Sequence, residues 1–262
     1  MLLAIDCGNT NTVFALMDGH TLSREWRMAT DTNKTSDDYA MFIDHHLSKA
    51  GMAGDVVTDI VISTVVPACL RAFEGLGSYY HAPFFVIDAA NMTHGVKTAI
   101  PDAKQAGADR IANTKGAADY PLPAMVIDFG TTTTFDLIDG DGAYIGGAIA
   151  PGVNLSINAL YQAAARLPLI DTGAWTEKTP VLGATTVDAM NSGLYYGYIS
   201  LVEGMITRLK AAFGQDMTVI ATGGLAKIFS TIIAGVDHHD PDLTLKGMAM
   251  IYDYWKQHHY HD

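Results

Sequence analysis

The feature that most limits what this chain can fold into is a repeated strand–turn–strand unit. Residues 2–5 are apolar, Asp6-Cys7-Gly8-Asn9-Thr10 follows as a turn, and residues 12–17 form a second apolar run. The same order returns at 124–138, where Asp128-Phe129-Gly130-Thr131-Thr132 separates two further apolar runs. Asp6 and Asp128 stand 122 residues apart in a chain of 262 residues. Apolar runs joined by a short Gly/Asn turn predict a β-hairpin. One such turn need be nothing more than a tight hairpin. Two in the same context predict two related halves, 1–118 and 119–262.

The segments between the hairpins alternate in character. Residues 21–28 read as a third strand. Tyr39, Phe42, Ile43, Leu47 and Ala50 recur at helical spacing over 36–50. Thr35 or Ser36 can cap that helix, Asp37 and Asp38 suit its first turn, and Gly51 stops it. Strands are expected at 57–66 and 83–88, and a helix at 108–118, broken by Pro121 and Pro123. In the second half a strand and a Gly/Pro turn are expected over 143–153. A long helix over 186–213 carries the apolar stripe Ile199, Val202, Ile206, Leu209 and Phe213. A strand at 218–224 ends in Gly223-Gly224, and a last helix covers 242–256 before a loose tail with His258, His259 and His261. Strands interleaved with helices predict an α/β fold.

Composition narrows the partners. Hydrophobic residues make up 49% of the chain and charged residues 17%, enough to build a sizeable core. The formal charge of −12 argues against broad electrostatic binding to nucleic acid or anionic membranes, though not against a local anion site. Two cysteines, Cys7 and Cys69, cannot make a disulfide scaffold or a four-cysteine zinc site. The apolar start is too short for a signal peptide, and no run of 18 apolar residues predicts a membrane span. A cytoplasmic location is expected. The paired histidines 45–46 and 238–239 do not have the spacing of a zinc site.

The turns carry the candidate chemistry. Glycine lets backbone N–H groups approach phosphate oxygens closely, and Thr and Asn side chains add donors. An aspartate at the strand end repels phosphate, but it can hold hydrated Mg²⁺ or another cation that neutralises it. Gly223-Gly224 would let a flat ligand lie against backbone. Asp109 and Arg110 pair a potential base with a positive charge, although such a pair is also common as a surface or helix-cap ion pair.

Five motifs stand in order: Asp-Cys-Gly-Asn-Thr-Asn at 6–11, Gly-Ala-Asp-Arg at 107–110, Asp-Phe-Gly-Thr at 128–131, Gly-Gly-Ala-Ile-Ala-Pro-Gly at 146–152 and Ala-Thr-Gly-Gly-Leu-Ala at 221–226. In this set and order the chain resembles the type III pantothenate kinases, of the actin-like ATPase and sugar-kinase superfamily. The resemblance implies two actin-like (ribonuclease H-like) halves, with mixed sheets flanked by helices and an interdomain nucleotide cleft. It implies transfer of the ATP γ-phosphate to the primary hydroxyl of pantothenate, the first step of coenzyme A synthesis. It also implies Mg²⁺, a monovalent cation (K⁺ or NH₄⁺) and a homodimer with the substrate pocket at the subunit interface.

Residue by residue, the resemblance makes Asp6, Cys7, Gly8, Asn9, Thr10, Asn11, Thr12 and Val13 the first ATP loop. Thr131, Gly223 and Gly224 are further nucleotide contacts. Gly107, Ala108, Asp109, Arg110 and Thr186 are implied substrate contacts, with Asp109 the general base. Asp128 would bind the monovalent cation, and Asp6 the metal. Ile100 stands where family members often carry a tyrosine near pantothenate. Apolar contact is kept there and a hydroxyl is lost. Two rival readings accompany this one: a regulatory module that keeps the nucleotide site without turnover, and a kinase for another small hydroxy acid.

Overall fold

Residues Leu2–Cys7 form the first strand, β1. Successive side chains of a strand point to opposite faces. Leu3, Ile5 and Cys7 enter one cluster of buried side chains, and Leu2 and Ala4 enter another. A strand buried on both faces needs helices on both sides, and the chain supplies them.

The computed structural model describes residues 1–88, 95–164, 166–176 and 178–259; His261 of the expected tail lies outside the described residues. After β1 come β2 (Asn11–Asp18), β3 (Thr21–Ala29), α1 (Ser36–Lys49), β4 (Asp59–Thr64), α2 (Pro67–Tyr80), β5 (Phe84–Ile87), β6 (Lys97–Thr98) and α3 (Ala108–Gly116). Then follow β7 (Ala124–Phe129), β8 (Thr132–Ile138), β9 (Ala143–Pro151), α4 (Val153–Ala163), α5 (Thr186–Phe213), β10 (Thr218–Thr222), α6 (Ala226–Phe229), β11 (His238–His239) and α7 (Leu243–His259).

The first sheet has the order β3-β2-β1-β4-β5. β1 and β2 are antiparallel, as are β2 and β3, whereas β4 lies parallel to both β1 and β5. The second sheet has the order β11-β10-β7-β8-β9-β6, with β10 parallel to both β7 and β11. Leaving out the edge strand β6 and reading from β9, the second order is β9-β8-β7-β10-β11. Each strand then matches its counterpart in the first sheet. The repeat read from the two Asp-x-Gly turns is therefore a repeat of sheet topology, and the α/β architecture with helix-flanked mixed sheets is as expected.

Compactness divides the chain into two units. One comprises residues 1–119, 138–146 and 242–262, and the other comprises 120–137 and 147–241. The expected boundary at 118/119 lies beside the first crossing, but the units are not continuous in sequence, because α7 packs with the N-terminal one.

In that unit α1 and α2 cover one face of the sheet through Tyr39, Ile43, Leu47, Phe73 and Leu76. α3 and α7 cover the other through Ala108, Ile111, Met248, Ile251 and Tyr252. α1 starts as expected: Thr35 accepts from the Asp38 N–H, and the Asp38 carboxylate accepts in return from the Thr35 N–H, a reciprocal cap. α3 and α7 approach almost to backbone contact, since a Cβ on Gly247 would lie 1.9 Å from the Ala112 carbonyl oxygen. Three helices depart from the sequence reading. α2 and the short α6 were not expected, and neither was α4: where a Gly/Pro turn was expected at the end of 143–153, Gly152 caps a helix.

Candidate active site

The N-terminal unit gathers the first group of candidate residues. Asp6, at the end of β1, is half-buried, Cys7 and Thr12 are buried, and Asn9, Thr10 and Asn11 are exposed at the tip. The tip is tied down from behind. The Gly8 N–H donates to the Asn11 carbonyl at 3.0 Å, the Thr30 hydroxyl to the Gly8 carbonyl at 2.7 Å, and the Thr30 N–H to the Thr10 carbonyl at 3.0 Å. Thr12 reaches the Cys7 thiol at 3.5 Å and the Thr30 hydroxyl at 3.0 Å. The Cys7 side chain thus packs beneath the loop. Val13 pairs with Asp6 across the hairpin.

Gly107 caps α3 and places Asp109 in its first turn. The Asp109 carboxylate accepts from the Arg110 N–H at 2.9 Å and lies over Gly107, where a Cβ would come within 2.4 Å of it. The same Cβ would be 3.8 Å from Val65, whose N–H donates to the Cys7 carbonyl at 3.1 Å. Val65 thus links the base of the first loop to the Gly-Ala-Asp-Arg turn. Alternation along β1 puts Asp6 on the face that α3 covers. The half-buried Arg110 donates to the hydroxyl of buried Tyr144 at 3.1 Å. Tyr144 and Ala108 share a cluster against which Ile100 packs, so Ile100 stands with the turn it was expected to accompany. Tyr144 escaped the sequence reading, because nothing in its local pattern ties it to Arg110.

The second unit gathers the rest. Asp128 ends β7 half-buried, and Gly130, Thr131 and Thr132 are exposed. The Gly152 N–H donates to the Thr131 carbonyl at 3.2 Å, and a Cβ on Gly152 would lie 2.3 Å from that oxygen. The unexpected helix α4 therefore starts against the second Asp-x-Gly turn. Aligned N–H groups at a helix start favour anions. Gly223 follows β10 at φ +92, and a Cβ there would meet the Asp128 carboxylate at 2.3 Å. Positive φ and close approach both require glycine. Beneath the loop the Thr133 hydroxyl bonds to that of Tyr198. Burial, reinforced by the charge of Asp128, pushes the Tyr198 phenol up to about 12, against the opposing effect of the Thr133 bond. Thr186 is the exposed first residue of α5, after the Thr185–Asp188 capping box.

The carboxylates fit the implied cations. Mg²⁺ is held by one or two carboxylates and substrate phosphates rather than by a protein cage. Asp6, near the end of β1, would supply one such carboxylate. Asp128 offers an oxygen ligand beside a glycine cradle.

Comparison with known proteins decides the family. The family profile described as type III pantothenate kinase matches residues 2–208. The chain belongs to the type III pantothenate kinases. It is 46% identical over 252 residues to a type III pantothenate kinase of Acidiphilium cryptum, covering 96% of this chain and 94% of that one. It is 44% identical over 253 residues to one of Caulobacter vibrioides, covering 96% and 97%. Among solved structures it resembles a ROK hexokinase from Thermus thermophilus, with a TM-score of 0.53 at 14% identity and coverage of 98% and 99%. That likeness is one of fold.

Proposed function

We propose that Asp109 is the general base of the family reaction in this chain. The chain is an ATP-dependent kinase that phosphorylates the primary hydroxyl of pantothenate, giving 4′-phosphopantothenate at the first step of coenzyme A biosynthesis. A primary alcohol is a weak nucleophile, and a carboxylate in hydrogen-bond reach takes its proton as attack proceeds. The observation that carries the assignment is the Asp109 carboxylate, folded over Gly107 and linked through Val65 to the loop that begins at Asp6. Arg110, held by Tyr144, supplies a fixed positive charge for an anionic group of the substrate. Gly107, Ala108 and Ile100 complete that wall, and Thr186 is a further substrate contact.

ATP contacts are assigned to Asp6 through Val13, and separately to Thr131, Gly223 and Gly224. Asp6 would hold Mg²⁺, and Asp128 K⁺ or NH₄⁺. When bound, these cations neutralise phosphate charge, on which phosphoryl transfer depends together with alignment. The halves 1–118 and 119–262 are read as the two copies of the repeat. Homodimer formation is supported by exposed apolar side chains of the second unit: Leu182 is 89% exposed, Val181 71%, Ile149 64% and Leu169 59%. Among the described residues no helix is long and apolar enough to cross a membrane. A cytoplasmic location is part of this reading, and the acidic charge argues against nucleic-acid partners.

The test is a panel of small hydroxy acids compared by kcat/KM with ATP, Mg²⁺ and K⁺. Pantothenate should exceed every other acceptor by at least a hundredfold. A better acceptor of another class would overturn the substrate assignment.

A further inference from the structure

The two Asp-x-Gly turns are not the only chemistry that the repeat duplicates. β4 lies beside β1 in parallel register, with Ser63 opposite Asp6. β10 lies beside β7 in the same way, with Thr222 opposite Asp128. β4 and β10 are equivalent strands of the two sheets. Ser63 and Thr222 are both 0% exposed, and neither hydroxyl has a hydrogen-bond partner among the described residues. Ser230, the C-cap of α6, is a third such hydroxyl, so want of a partner alone marks nothing. Register marks these two.

Side chains at paired positions of parallel strands share a face, and neighbouring strands are about 4.8 Å apart. Alternation agrees in the first unit. Ile60 and Ile62 point into the α1–α2 core, and Val61 into the α3–α7 core. Ser63 therefore shares the face of Asp6, at the strand ends beside the start of α3. In the second unit the Asp128 carboxylate lies over Gly223, the residue that follows Thr222. Each hydroxyl residue is thus one strand spacing, backbone to backbone, from a residue whose carboxylate shares its face. A buried hydroxyl without an acceptor is disfavoured. An apolar residue of the same size would fill either place without that cost.

We propose that Ser63 and Thr222 are positioning residues, each donating to the loop carboxylate beside it when that carboxylate holds its cation. The pairing fixes the orientation of Asp6 for Mg²⁺ and of Asp128 for the monovalent cation. A neutral donor suits both, because it restrains a carboxylate without competing with the cation for charge. This inference rests on the functional reading above.

The experiment compares the parent with Ser63→Ala, Thr222→Val and Thr222→Ser. Melting temperature and initial rate are each titrated with MgCl₂ at fixed ATP and with KCl. Without ligands, Ser63→Ala and Thr222→Val should melt at or above the parent, since each removes an unsatisfied buried hydroxyl. With ligands, Ser63→Ala should need about five- to tenfold more Mg²⁺ for half its melting shift and half its rate, at an unchanged K⁺ requirement. Thr222→Val should show the reverse, and Thr222→Ser should titrate like the parent. Variants that titrate like a responsive parent would overturn the inference and leave the kinase reading intact. So would a lower ligand-free melting point with unchanged cation requirements, which marks a structural role. A parent whose melting and rate ignore both cations would overturn the reading and the inference together.

Discussion

At the scale of single residues, the candidate groups are positioned by contacts from outside their own motifs. Arg110 donates a hydrogen bond to the hydroxyl of a tyrosine 34 residues away. Tyr144→Phe should raise KM for pantothenate about three- to tenfold and leave KM for ATP unchanged, in steady-state assays that vary each substrate. Asp128 is held against a glycine that cannot be replaced. Gly223→Ala should shift the carboxylate and strain the backbone at φ +92, costing roughly 1–3 kcal/mol. Chemical denaturation would measure it, and an unchanged midpoint would contradict the packing. The carboxylates were legible in the sequence because each sits in a short motif after an apolar run. Tyr144, Ser63 and Thr222 were not, since their roles depend on strand register and on contacts distant in the chain.

At the scale of elements, α3 and α7 decide where Asp109 sits. The contact between Gly247 and Ala112 sets their separation, and α3 carries Asp109. Gly247→Ala should destabilise by about 1–3 kcal/mol through overpacking and lower kcat with it, which calorimetry and rate assays on one sample would show together. α7 is also anchored by charge. Asp59, on β4, accepts from Tyr252 at 2.6 Å and from Lys256 at 3.0 Å. Burial alone would raise its pKa, but the bonds from Tyr252, Thr58 and Lys256 and the Lys256 charge outweigh it, so the carboxyl titrates below its ordinary 3.8. A carboxyl lowered by folding stabilises above its unfolded pKa, and that contribution is lost as pH falls through the folded one. As pH falls below about 4, Asp59→Asn should therefore lose melting temperature less steeply than the parent. Equal slopes would contradict the anchoring. α1 was legible from its capping box and its spacing. α2 was hidden because Gly75 and Gly77 lie inside it, where glycine disfavours a helix. α4 was hidden because Pro151 and Gly152 read as a turn, when Gly152 is the cap itself.

At the scale of the whole molecule, the repeat accounts for most of what the sequence could reveal. It foretold two equivalent sheets, because a strand–turn–strand unit specifies its own pairing. It could not reveal that α7 returns to the N-terminal unit, since a terminal amphipathic helix carries no address. On the proposed reading, a chain of formal charge −12 binds two anions because loop N–H groups, Arg110 and cations at Asp6 and Asp128 would reverse the local sign. If exposed Val181 and Leu182 lie in a dimer contact, Leu182→Glu should shift the protein to monomer in light scattering; an unchanged mass would place the contact elsewhere. The most direct test of the central claim is a single mass-spectrometric assay. The parent and Asp109→Asn are incubated with ATP, Mg²⁺, K⁺ and pantothenate, and 4′-phosphopantothenate is quantified over time. The parent should form it, and Asp109→Asn should do so at least a hundredfold more slowly at an unchanged melting temperature. No product from the parent, or equal rates from the two proteins, would contradict the account.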